Sequence, residues 1–453
     1  MPHTKKITVT LETLVSLAKR RGFVFQASEI YGGLAGFWDY GPYGVELVNN
    51  IKQLWWRAMV YEQPEIYGLD SAIVQNPKLW KASGHIDSFT DPLVDCKSCG
   101  ARHRADHLAG LDTSDLKELA LLLKDKPCPK CGKKTLTEPR FYNMMMKTWV
   151  GPVEDESSVA YLRPETAGSI FTNYDNVRET TRSKIPFGIA QIGKAFRNEI
   201  SPRDFIFRVR ELEQMEMQYF ISPDMQKQQY ERWREFCWDF LTERVGLAKD
   251  NLKWHEHGPD ERAHYAAAAH DVYFNFPQGF KELWGTHNRT DFDLKNHIRE
   301  SGKDLSYFDE ATKERYVPNI IESSVGVGRM MMAVLTDAYN EEEVNGETRV
   351  VLKIDVKLAP VKVAILPLSK KPELSKLSRE VYTKLVQSTN YNIEYDETQS
   401  IGKRYRRQDE IGTPYCVTID FESLEDNAVT VRERDSMKQQ RVKIDKLAEY
   451  IKI

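Results

Sequence analysis

The stretch AFRNEISPRDFIFRVREL, residues 195–212, constrains the fold more than any other segment of the chain. Two strand-like runs flank a charged loop. Beyond it Arg208, Arg210, Gln214, Glu216 and Gln218 recur at every second position, with only Leu212 interrupting them. Side chains two apart on a strand share a face of the sheet. One face is therefore polar and charged where a core would be apolar, and it reads as a lined site.

The rest of the chain supplies the frame for that sheet. At 453 residues it exceeds what one core serves, so two or three domains are expected, with 41% hydrophobic residues to fill them. Residues 45–60 place Val48, Ile51, Leu54, Trp55, Ala58 and Met59 at helical spacing. Residues 186–220 read strand, loop, strand, and 223–245 are helical in period, which predicts an antiparallel sheet flanked by helices. The charged segment 342–357 and Ala359-Pro360 precede a fresh apolar strand, VKVAILPL, and predict a domain boundary. The tail then alternates strand, helix (373–387), strand (391–395), basic segment (403–407), strand (415–421), hairpin and a last helix, the pattern of a small α/β domain.

A net charge of -3, from 64 Lys and Arg against 67 Asp and Glu, excludes a global polycation, so any nucleic-acid contact is local. The first residues have no long apolar core or small-residue cleavage site, and nowhere do eighteen apolar residues run together. A cytoplasmic protein without membrane spans is expected. Cys96-Lys-Ser-Cys99 and Cys128-Pro-Lys-Cys131 are two knuckles able to complete a tetrahedral zinc site around the helical run SDLKELALLLKD. Four thiolates leave no open position for water, so the predicted metal is structural. In ESSVGVGRMMMAVL, Gly326 and Gly328 allow close backbone approach and Arg329 opens a helix, an arrangement suited to phosphate.

Together, the amphipathic helix running toward Pro77, the FRNE strand-loop-strand and the GVGR turn resemble the three signature motifs of class II aminoacyl-tRNA synthetases. WKASGHIDSF, RADHL, YLRPETA, QIGKAFRNEISPR, FRVREL, NRTDFDL and VGVGR, in that order, resemble the dimeric glycyl-tRNA synthetases from about residue 10 to the C-terminus. The resemblance implies an α+β catalytic domain with a mixed, mostly antiparallel sheet flanked by helices (1–94 and 136–358). It further implies a zinc-knuckle insertion (95–135) and a C-terminal α/β anticodon-binding domain (359–453). The implied reaction is ATP-dependent activation of glycine to glycyl-adenylate and transfer to the 3' end of tRNA(Gly). The implied assembly is a homodimer formed through the helix at 45–60 and its adjoining strand.

The same resemblance assigns roles. Arg197 would hold the ATP α-phosphate and the amino-acid carboxylate, Glu199 would read the adenine amino group, and Arg329 would lie over the nucleotide near its γ-phosphate. Asn198, Phe207, Arg208, Val209, Arg210, Glu211, Leu212, Glu282, Leu283, Gly326, Val327 and Gly328 complete the implied ATP set, and Glu282 with Glu322 is the implied Mg²⁺ pair. Charge logic agrees, because a carboxylate attacking a phosphate brings two anions together and arginine forks suit both. Glycine can be recognised only by its ammonium, its carboxylate and its lack of bulk. Glu165, Glu216, Glu322 and Ser324 are the implied ammonium cage, with Arg104, Leu212, Glu213, Gln214, Met215, Ser323, Val325 and Gly326 in the same substrate set. No smaller amino acid exists, so steric refusal suffices without an editing domain. Lys403, Arg404, Arg406, Arg407, Arg432, Glu433 and Arg434 resemble an anticodon-binding surface. Taken singly, Glu165 also reads as a helix cap, Glu216 as a solvated strand residue and Arg104 as a surface charge.

The chain departs from the family pattern at Gly168 and Ser169 (RPETAGSIF for RPETAQGIF), at Leu212 in place of an aromatic ring, at Trp284, Thr286 and His287, and at Ser323 in place of a common proline. A looser pocket wall and weaker stacking on adenine are expected, with Trp284 refilling space at Gly168 or Leu212 and His287 near the nucleotide-side wall. Two alternatives stand beside the main reading. One is a class II enzyme of different specificity, as threonyl and prolyl relatives share the tail. The other is a catalytically silent tRNA- or DNA-binding accessory protein, which would have no need of Arg197, Glu199 and Arg329.

Overall fold

A computed structural model describes residues 9–111, 113–258 and 267–451, so both outer ends of the expected domains (1–94 and 359–453) lie outside it. Its centre is a seven-stranded sheet in the order Leu252–Glu256, Ala268–Phe276, Gly279–Thr290, Asn319–Gly326, Glu211–Ile221, Phe187–Phe196 and Ile66–Gly68. All neighbours are antiparallel except the last pair. The expected mixed, mostly antiparallel architecture is therefore present.

The two faces of this sheet differ in chemistry, and the alternation of side chains produces the difference. Met215, Met217, Tyr219, Ile321, Val325, Val272 and Trp284 point to one side and form a single core with the helices Pro42–Trp56, Gln226–Asp239 and Val327–Ala338. On the other side Gln214, Glu216 and Gln218 stand opposite Gly326, Ser324 and Glu322. That face becomes apolar again at Phe220 and Ile320, where the helix Ala167–Thr172 covers it with Ile170 and Phe171. The polar strip is thus bounded rather than spread along the sheet.

Val48, Ile51 and Trp55 of the helix Pro42–Trp56, and Ala58 and Met59 of the turn that continues it, are buried within the chain's own core, while Leu54 is only partly covered. The apolar stripe read from the sequence serves intramolecular packing. Between the catalytic strands, Thr90–Asp95 pairs with Arg102–Arg104 and Arg140–Asn143, and Val94, Ala105, Leu119 and Leu123 form a small core beside the cysteines.

The tail is a five-stranded sheet in the order Ile393–Tyr395, Val363–Pro367, Tyr415–Ile419, Ala428–Glu433 and Gln439–Lys443, with the helices Pro372–Ser388 and Ile401–Ile411. Two local readings differ. The segment 342–357, read only as charged, contains regular structure: Tyr339–Val344 and Glu347–Leu352 form a hairpin whose turn, Asn345-Gly346, has positive φ at both residues. The basic segment 403–407 is helical. Arg404 takes the buried position of that helix and donates to the carbonyls of Pro367 and Asp396, so a charged residue sits where periodicity reads an apolar one. Arg432 and Arg434 are also buried, the first against Asp409 and the second against Asp435 and the carbonyls of Ile354 and Gly412. These three arginines hold the fold and are not available to nucleic-acid phosphates.

Candidate active site

A cavity of about 590 Å³ opens on the polar strip. Glu165, Glu216, Glu322 and Ser324 line one end, and Arg197, Glu199, Phe207, Arg208 and Arg329 line the other. An acidic and a basic end thus share one space.

At the acidic end two buried carboxylates, Glu216 and Glu322, and the partly buried Glu165 approach from three elements. Glu216 is central on its strand and accepts a hydrogen bond from the Thr166 hydroxyl. Burial, then the charges of Glu322 and Glu165, push its carboxyl up to about 8, so it holds a proton at neutral pH. Burial also acts against ionisation of Glu322, but Arg289, His287 and Gln218 outweigh it and draw the group down to about 2. Arg289 Nη1 stands 2.9 Å from Glu322 Oε2, while its other edge grips Asp293. Glu165 lies 3.4 Å from His85, which with Arg289 draws its carboxyl below the usual range despite burial. The Glu165 Oε1 and Gln218 Oε1 atoms are buried without a protein partner. Two carboxylates and the unanswered Glu165 Oε1 around a shared space suit a compact ammonium ion.

The basic end is built by the loop 197–210, whose Asp204 and Phe205 take left-handed conformations. Arg197 is anchored by Nε to the Pro164 carbonyl and lies over the Phe89 ring. Glu199 accepts from Arg208 at 2.8 Å. Arg329 begins the helix Val327–Ala338, stacks 4.4 Å from the Phe207 centroid and pairs with Glu282 at 3.1 Å. Phe207 is in place to offer a ring, and Leu212 lines the same cavity.

Several expected residues stand elsewhere. The strand begins at Glu211, so Arg208 and Arg210 belong to the loop and do not continue the strand's face. Arg210 is tied to the carbonyls of Glu199 and Ala35 and acts as a loop brace outside the cavity lining. Asn198 is also outside the lining, joined by its backbone to Met144. Met215, Leu283, Ser323, Val325 and Val327 are buried on the reverse side, leaving only main-chain atoms for the site. Glu213 lines the cavity but pairs with Lys52, and Glu211 pairs with Lys194. Arg104 is fastened to Asp91 and Asp106 and does not line the cavity. Both oxygens of Glu322 accept hydrogen bonds and Glu282 faces Arg329.

The departures also find places. Trp284 is fully buried on the reverse side, donates to Ser323 Oγ at 2.9 Å and packs edge-on to Phe240, so it refills nothing at Gly168 or Leu212. A Cβ at Gly168 would meet Leu79 and Trp80, so those side chains already occupy the space. His287 belongs to the acidic end, beside Glu322. Sequence reasoning missed His85, Thr166, Asp271 and Arg289. His85, Thr166 and Arg289 each lay inside a quoted run, WKASGHIDSF, YLRPETA and NRTDFDL, whereas Asp271 carried no signal.

The four knuckle sulfurs lie within 4.8 Å of one another, with Cys96–Cys131 at 3.6 Å and Cys99–Cys128 at 3.8 Å. A zinc tetrahedron with bonds of about 2.3 Å spaces its sulfurs about 3.8 Å apart, so the donor set fits. Gly100 and Gly132 close the two knuckles through hydrogen bonds to the Cys96 and Cys128 carbonyls, and His103 stands 3.5 Å from Cys128. Among the described residues, no helix is long and apolar enough to cross a membrane.

Two family descriptions match the chain: "tRNA synthetase class II core domain (G, H, P, S and T)" over residues 152–338 and "Anticodon binding domain" over 362–453. Similar curated proteins include the glycine–tRNA ligases of Caldanaerobacter subterraneus subsp. tengcongensis (52% identical, 98% of each chain covered) and Thermobifida fusca (51%, 97% of each). That of Geobacillus kaustophilus is 50% identical, over 98% of this chain and 99% of its own.

Proposed function

The chain belongs to the glycine–tRNA ligase family of class II synthetases, and we propose how its own residues divide the work of that ligase reaction. Glycine is activated by ATP to glycyl-adenylate and then joined to the 3' end of tRNA(Gly). In the first step a glycine carboxylate oxygen bonds to the α-phosphorus while the bond to the pyrophosphate oxygen breaks. In the second, a terminal tRNA hydroxyl attacks the carbonyl and AMP leaves.

The juxtaposition of the acidic and basic ends in one cavity carries the assignment. Glu165, Glu216 and Glu322 receive the ammonium, Ser324 lies beside them, and Arg197 meets both the glycine carboxylate and the α-phosphate. Glu199 is oriented by Arg208 for the adenine amino group. Arg329 withdraws from Glu282 toward the outer phosphates, and Phe207 offers the base a ring. Positioning and charge neutralisation supply the rate, since no side chain needs to form a covalent bond. Class II membership implies use of Mg²⁺, but no step is assigned to it. Cys96, Cys99, Cys128 and Cys131 hold a structural zinc that fastens the insertion.

The enzyme acts in the cytoplasm as a homodimer, and the exposed basic residues of the tail, Lys403 above all, contact tRNA. Arg197→Ala tests the site assignment: glycine-dependent exchange of pyrophosphate into ATP should fall at least 100-fold, of the order seen when one charge-stabilising donor is removed, with tRNA binding intact. Exchange retained near the wild-type rate contradicts the assignment.

A further inference from the structure

His287 has no part in the chemistry above, yet a carboxylate holds each of its ring nitrogens. It stands directly across from Glu322 on adjacent antiparallel strands. Its Nδ1 lies 3.0 Å from Glu322 Oε1 and its Nε2 lies 3.3 Å from Asp271 Oδ1. The other oxygen of Asp271 is 2.7 Å from His257 Nε2. A line Glu322–His287–Asp271–His257 therefore crosses three strand registers from the cavity toward the sheet edge.

The backbone is shaped to admit this line. Gly285 pairs with Asp271 on one side and Ser324 on the other, and a Cβ there would stand 3.1 Å from the His287 ring and 3.2 Å from Asp271 Oδ1. With a carboxylate at each nitrogen, both ring nitrogens donate, so the ring is an imidazolium. Burial opposes that charge, but the hydrogen bonds to Asp271 and Glu322 and their charges prevail and raise the group to about 10. Arg289 and Gln218 hold the second oxygen of Glu322. Between them the three donors leave that carboxylate a single orientation.

We propose that His287 is a positioning residue for amino-acid recognition: it locks the Glu322 carboxylate in the orientation that meets the glycine ammonium, with Asp271 and His257 fixing the ring from behind. The inference rests on the glycine pocket assigned above and deepens it. A carboxylate free to rotate would lose part of the preorganisation on which recognition of so small a ligand depends. His287 touches no reacting atom. Its effect should therefore fall on glycine capture and spare ATP.

Steady-state pyrophosphate exchange with His287→Ala, His287→Gln and Asp271→Asn tests this. His287→Ala should raise KM for glycine about 10- to 100-fold, the loss expected for a hydrogen bond to a charged group, with KM for ATP within about twofold. His287→Gln, which keeps one donor toward Glu322, should recover part of the loss, and Asp271→Asn should fall between wild type and His287→Ala. A folded His287→Ala with unchanged KM for glycine overturns the proposal, as does a parallel rise in both KM values with a lowered melting temperature. Should His287→Ala not fold, His287→Gln carries the same comparison. Wild-type enzyme without glycine-dependent exchange would overturn the pocket assignment itself, a result distinct from an indifferent His287 variant in a glycine-active enzyme.

Discussion

Arg349, on the hairpin that leaves the catalytic module, donates from Nε and Nη2 to both oxygens of Asp409 in the tail at 2.8 and 2.9 Å, and neither side chain is more than 1% exposed. Arg432 adds two further hydrogen bonds to the same carboxylate. Arg20 and Arg21 reach Glu410 one residue further along that helix. The tail is thereby docked on the catalytic module by a desolvated charge cluster and not by a flexible tether.

Removing one partner of such a pair leaves a buried, uncompensated charge. Arg349→Ala should destabilise the docked state by about 3–5 kcal/mol. Denaturant unfolding followed by tail-specific and catalytic-module probes should show the two transitions separating, and aminoacylation should fall more than pyrophosphate exchange. Coincident, unshifted transitions contradict the docking role.

Glycine binding should release a proton. The Glu216 carboxyl is raised from 4.5 to about 8, so its proton favours the folded state fully below about pH 4.5, and that contribution is lost as pH rises through about 8. An arriving ammonium favours the ionised form and displaces the proton. Calorimetric titration at pH 7 in buffers of different ionisation enthalpy should show nearly one proton released per site, decreasing toward zero above pH 9. A buffer-independent enthalpy at pH 7 sinks this expectation.

Gly193 faces Arg163, whose guanidinium is buried and donates to the Lys194 and Ser71 carbonyls. A Cβ at Gly193 would stand 2.1 Å from Arg163 Nη2, and Arg163 sits beside Pro164, the anchor of Arg197. Gly193→Ala should cost about 1–3 kcal/mol by overpacking and lower exchange activity with it. Unaltered thermal stability would show that Arg163 yields freely.

Zinc content gives a further check. Substituting Cys96 and Cys128 with Ser should release one equivalent of metal per chain, measured with a colorimetric chelator. Metal-free wild-type protein of full stability refutes the site.

Much of the site was legible because its chemistry repeats with the strand period. Gln214, Glu216 and Gln218 lie on one face as the spacing requires, and the glycine turn at 326–328 opens a helix as read. The apparent continuation to Arg208 and Arg210 misled, because two-residue alternation also occurs by chance in a loop. Asp271 and His257 carried no signal: each is an ordinary residue until strand pairing brings it beside His287. Arg404 hid its helix by placing a guanidinium in a core-facing position, where backbone carbonyls satisfy it. The hairpin at 339–352 was not read, although Asn345-Gly346 is a turn pair, because its strands are charged and its buried residue at 349 is an arginine.

The central claim is that an acidic pocket beside an arginine-lined nucleotide site accepts an amino acid only when it has no side chain. Pyrophosphate exchange by the wild-type enzyme across glycine, alanine, serine, threonine and proline measures it directly. Glycine should support exchange, with alanine and serine at least 100-fold poorer in kcat/KM, about the discrimination a tight pocket achieves against added bulk. Comparable turnover of alanine, or exchange with threonine or proline in place of glycine, would contradict it.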